Sequence, residues 1–138
     1  MSTPCCGGIG ETLVFTCAGA AYSGQLANRA GVDLTKGGQA GLFCIAALAA
    51  ELPEKLERTR NAGKRIAIDG CDNHCCRKIM EKAGMPVDIH VVVTDLGIEK
   101  QPQELHILVH TKRVVAEVEN RLEGSPARPS AGQHKSGK

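Results

Sequence analysis

Cysteine supplies the chemistry available to this chain. Residues 71–76 read CDNHCC, so Cys71, Cys75 and Cys76 stand beside His74 in one short stretch. Cys17, Cys44 and the adjacent pair Cys5 and Cys6 bring the count to 7. Thiolates ligate zinc, hold iron–sulfur clusters, attack electrophiles and exchange disulfides. A buried free cysteine is otherwise a small hydrophobe. The odd count argues against a disulfide framework. So does the run TLVFTCAGAA, which no basic residue precedes, the first being Arg29. A secretory signal needs a positive leading segment. The run therefore reads as a strand and the protein as cytoplasmic, where thiols stay reduced.

Composition narrows the partners. Aromatic residues make up 2% of the chain, so the core must be aliphatic and no ring platform exists for stacking bases. The net charge of +2 is too small to call for nucleic acid or a membrane surface as partner. No apolar run approaches the length of a membrane span. A chain of 138 residues is long enough for one domain with a real core.

The thiols must be positioned by an alternation of elements. TLVFT (12–16) reads as a strand, followed by a helix through GQLANRAGVDLT with Ser23 as its N-cap. LFCIAAL (42–48) begins as a second strand. PEKLERTRNAG reads as a charged amphipathic helix with Pro53 in its first turn. KRIAID (64–69) is a third strand, and Asp72 or Asn73 can cap the helix NHCCRKIMEKAG. DIHVVVT (88–94) is a fourth strand. Beyond Gly97 the pattern allows one long helix, or a short strand and then a helix. The expectation is an α/β fold: a single domain with a mainly parallel sheet of four or five strands, helices on both faces and Rossmann-like βαβ repeats. The domain spans 12–122, between a flexible Cys/Gly-rich segment (1–11) and a Pro/Gly/Ser-rich disordered tail (123–138).

Parallel strands end at one edge, where open α/β sheets bind ligands. Cys17 follows the first strand, Cys44 lies in or after the second, and Cys71 follows the third. Cys75 opens the next helix, whose positive end favours a thiolate, as ligand or as nucleophile. These four are the expected metal ligands; Cys71 and Cys75 have a ligand-like C-x3-C spacing. Cys76 projects about 100° away around the helix. It is expected to face core or solvent, with replacement of Cys75 as the alternative. His74 is an alternative nitrogen ligand, or an exposed helix-start residue. Cys5 and Cys6 are possible further metal or thiol groups, or part of a loose terminus. Ser23 and Gly24 are weak candidates for holding a small anion at the start of the first helix. Asp69 is expected to orient backbone N–H groups. HILVH spaces His106 and His110 one helical turn apart, without the glutamate of a zinc protease motif.

Four blocks then carry a resemblance: CAGAAYSGQLANRAGVDL, GLFCIAAL, IAIDGC followed by Cys75, and AGMPVDIHVVVTDLGIEK. In this order, over residues 13–100, they resemble the DGC domain family of cysteine-rich, zinc-binding proteins. The family's recurring cysteines fall on Cys17, Cys44, Cys71 and Cys75. The chain departs from the family pattern in CAGAA, in the doubled cysteine of DNHCC and in the added CCGG head. The resemblance implies zinc and no defined reaction. The expected function is a zinc-binding protein with a four-thiolate site, serving metal storage, delivery or sensing. The alternatives are an iron–sulfur cluster protein, or a thiol enzyme or carrier in sulfur, selenium or arsenic metabolism.

Overall fold

The computed structural model describes residues 11–124. Strand β1 (Thr12–Thr16) leads into helix α1 (Tyr22–Lys36) and the short strand β2 (Gly41–Leu42). Helices α2 (Ile45–Ala49) and α3 (Pro53–Arg60) follow, then β3 (Lys64–Asp69), α4 (Cys75–Lys82) and β4 (Ile89–Val92). A 3-10 turn (Val93–Leu96) and a loop lead to the last helix, α5 (Ile107–Glu123). The four strands form one sheet in the order β2-β1-β3-β4, with every pair parallel.

Alternation along the strands divides the core in two. Val14, Ile66, Ile68, Ile89 and Val91 pack with the inward faces of α1 and α5. Leu13, Phe15 and Ala67 pack on the opposite face with Leu48 of α2 and with Cys76 and Met80 of α4. Successive strand residues point to opposite faces, so one run of LVF feeds both layers. The chain winds outward from β1 to β2, then returns to place β3 on the other side of β1. The reversal opens a crevice between the carboxyl ends of β1 and β3, the position where such sheets bind ligands.

Local expectations differ from the fold at three points. The run 42–48 is a strand for only two residues before it becomes α2, with Cys44 at the N-cap. Ser23 lies inside α1 and is buried, so it cannot cap; Ala21 holds that position without a side-chain bond. Asp72 and Asn73 do not cap α4. His74 is its N-cap residue, in the left-handed region at φ 56. Cys5, Cys6 and nearly all of the two terminal segments lie outside the described residues.

Candidate metal centre

Three turns meet around Cys17. Its backbone N–H donates to the carbonyl of Ile68 at 3.2 Å, tying the end of β1 to the end of β3. Its Sγ accepts the N–H of Gly70 at 3.3 Å. The start of α1 closes over the same point. A Cβ on Gly70 would lie 2.6 Å from the nitrogen of Gly24, and a Cβ on Gly24 would lie 2.8 Å from the Gly19 backbone. Real Cβ contacts are never that short, so Gly19, Gly24 and Gly70 set how closely these turns approach.

Behind them sits a buried carboxylate. Asp69 is 1% exposed. Its Oδ1 accepts the N–H of Cys76 at 2.7 Å and its Oδ2 that of Arg77 at 3.2 Å. A strand-end acid thus takes two free donors in the first turn of α4, as an N-cap would from the residue before the helix. His90 Nε2 meets the same carboxylate at 2.8 Å, and Arg77 Nη1 meets His90 Nδ1 at 3.3 Å. Arginine only donates, so His90 Nδ1 accepts and Nε2 carries the proton given to Asp69. The His74 ring stands edge-on to His90 with centroids 4.9 Å apart. Sequence reasoning missed His90. It lies mid-strand in IHVVV, and only its pairing opposite Ala67 places it on the face of the sheet that carries Asp69.

The thiols fall into distinct environments. Cys76 is fully buried in the core, and burial, followed by the charge of Asp69, pushes its thiol far above the usual value. Cys76 therefore faces the core, packed with Phe15 and Met80. Cys17 is half-buried. Burial raises its thiol, N–H groups of Gly19 and Gly70 pull the other way, and Asp69 and Cys75 push it up further. Cys71 is half-buried in the turn after β3, where its carbonyl accepts the N–H of His74 at 3.2 Å. Cys75 is exposed on the first turn of α4. Cys44 is exposed and lines a hollow of about 410 Å³ with Thr16, Ala18 and Phe43. Cys17, Cys44, Cys71 and Cys75 therefore stand on one edge of the sheet. Among the described residues, no three His, Cys, Asp or Glu side chains are gathered closely enough to hold one ion.

Among the described residues, two of the three non-glycine residues with positive φ flank these thiols: Ala18 (φ 49) follows Cys17, and His74 precedes Cys75. Such strain concentrates at functional positions. At the start of α1, the N–H of Tyr22 donates to Gln101 Oε1 and that of Ser23 to the Lys100 carbonyl. Ser23 Oγ is buried without a hydrogen-bond partner.

The profile of the DGC domain matches residues 13–119, well over half of the chain. The chain belongs to the DGC domain family. The triplet Asp69–Gly70–Cys71 accordingly has a role for each member here: a cap for α4, a gap that admits α1, and a thiol in the turn between them. A relative in Pseudomonas aeruginosa, the anaerobic and virulence modulator AnvM, is 27% identical over 110 residues, covering 80% of this chain and 84% of its own. No solved structure matches the chain. None of the helices among the described residues is long and apolar enough to cross a membrane.

Proposed function

We propose that this DGC domain is a zinc-binding protein in which Cys17, Cys44, Cys71 and Cys75 are the ligands, and that the site senses, stores or delivers the metal. The observation that carries the reading is the setting of Cys17 at the β1–β3 crevice. Its sulfur accepts a backbone N–H, while burial first, and then the Asp69 carboxylate and the Cys75 thiol, oppose its ionisation. A cation relieves that repulsion and takes the place of the protons. Soft sulfur donors suit zinc, and four of them would fill its tetrahedron with no open position for a reaction. The β2–α2 and β3–α4 turns, which carry Cys44 and Cys71, would have to close on Cys17 and Cys75. A site that orders its own turns on binding suits a sensor. A relative named as a modulator also favours sensing over catalysis.

The test is metal content by mass spectrometry with an absorption spectrum, on protein purified without oxygen and without added metal. One zinc per chain is expected, lost on replacing Cys17, Cys44, Cys71 or Cys75 with serine and kept in Cys76→Ala. A brown, iron-containing sample would replace zinc with a cluster. Metal-free protein that also fails to take up zinc would overturn the reading and return the thiols to redox or nucleophilic chemistry.

A further inference from the structure

His74 and His90 are brought together beside the thiols, and the four-thiolate site uses neither. His74 occupies the N-cap of α4 in the left-handed region, a backbone that glycine adopts far more readily, yet its side chain makes no capping bond. Asp69 caps the helix instead. The His74 ring stands against His90, edge-on with centroids 4.9 Å apart. His90 belongs to β4 and its side chain is 13% exposed. Its proton is fixed, because Nε2–H is given to Asp69 at 2.8 Å. Nδ1 keeps a lone pair. Arg77 Nη1 meets it at 3.3 Å, longer than an ordinary N–H bond. Arg77 also holds Glu81 at 2.9 Å through Nε, so it keeps a partner when it releases the ring.

We propose that His74 and His90 form a nitrogen pair that binds a divalent transition-metal ion such as zinc, with Cys75 as third donor, and that the ion passes from there to the other thiolates. A metal-ligating histidine gives its second ring N–H to a carboxylate or carbonyl, which fixes the tautomer and the ring. Asp69 does this for His90. With metal–nitrogen bonds of about 2.0–2.1 Å, two imidazoles sharing one tetrahedral ion have ring centres roughly 5 Å apart. The observed separation already matches, so loading needs the rings to rotate and not the backbone to move. Cys75 is exposed and follows His74 directly, so its thiol can turn toward the pair. Imidazole and thiolate together suit zinc and its neighbours. Two neutral nitrogens and one thiolate carry less negative charge than four thiolates, so the ion is drawn onward to Cys17, Cys44 and Cys71. That passage rests on the four-thiolate reading above; binding at the histidine pair does not.

The experiment is a zinc titration, under reductant, of the full chain carrying Cys17→Ser and Cys44→Ser, followed through the ring-nitrogen NMR signals of its 5 histidines. The rings of His74 and His90 are expected to shift together and saturate at one zinc per chain, while His106 and His110 stay unshifted. His74→Gly and His90→Gln, made in the same background, should each weaken zinc binding at least tenfold. Glycine removes the left-handed strain, and glutamine can still donate to Asp69. Both variants should therefore keep the circular dichroism spectrum of the background chain, and His74→Gly should melt no lower, which a purely structural role for the ring would not allow. Zinc that leaves both rings unshifted overturns the proposal, as does either variant binding zinc as tightly as the background chain. The result separates from the four-thiolate reading. Zinc held by the parent chain and lost in Cys17→Ser, with unmoved rings, sinks the pair and leaves the thiolate site standing. Ring shifts in a chain whose zinc content ignores Cys17 and Cys44 support the pair and sink the thiolate site.

Discussion

A carboxylate as deeply buried as Asp69 has to be met by fixed donors, and it is met by three: Cys76 N–H, Arg77 N–H and His90 Nε2–H. Each loses its acceptor when the side chain is removed, and an unsatisfied buried donor costs about 1–3 kcal/mol. Asp69→Ala should therefore lower stability by about 2–4 kcal/mol, and Asp69→Asn by less because one acceptor remains. Urea unfolding measures both, and equal losses would remove the carboxylate from its capping role. At Gly24 and Gly70 the limit is space. Alanine at either would press on backbone, which cannot rotate away. Gly24→Ala and Gly70→Ala should each cost about 1–3 kcal/mol and weaken zinc uptake by spreading the turns around Cys17. Asp69 was readable as an acid that orients N–H groups, because it ends a strand just before a helix. His90 was not, because its partner lies on another strand.

Elements were legible where one period dominates. KRIAID forms β3 with the expected bounds, and Pro53 opens α3 in its first turn. LFCIAAL was misread because a short apolar run fits a buried strand and a buried helix alike. Its alanines favour the helix that forms, and β2 keeps two residues. The start of α5 carries its own titration. Partial burial, then the charges of His106 and Arg113, holds His110 below the usual histidine value. The neutral ring is favoured in the folded state, so its contribution is present above the ordinary histidine range and is lost as pH falls through the lowered value. Amides at the start of α5 should exchange faster with solvent at pH 5 than at pH 7 after correction for intrinsic rates. His110→Gln should abolish that difference. An unchanged profile in the variant would assign it to another group.

At the scale of the whole molecule, the sheet edge that gathers the thiols was readable from topology, since parallel strands must end together. What topology could not supply was how far each thiol stands from water, and that separates Cys76 from the rest. Its folded-state value lies well above the ordinary thiol value of 9.0. The protonated form is favoured in the core, so this stability is complete below about pH 9 and is lost as pH rises above it. Metal-free protein should therefore melt at a nearly constant temperature through neutral pH and lose stability steeply in alkali. Cys76→Ala should flatten the alkaline limb while costing about 1 kcal/mol at pH 7 for the small cavity. Zinc should act separately. On the proposed reading it binds only the folded state and should raise the melting temperature by mass action, a stabilisation of about 2.7 kcal/mol at a hundredfold excess over its dissociation constant. That increment should be the same in Cys76→Ala as in the parent, because the buried thiol faces the α2–α4 layer of the core. Scanning calorimetry across pH, with and without zinc, separates the two effects. An increment that vanishes in Cys76→Ala would make Cys76 a ligand and require α4 to turn its first residues outward.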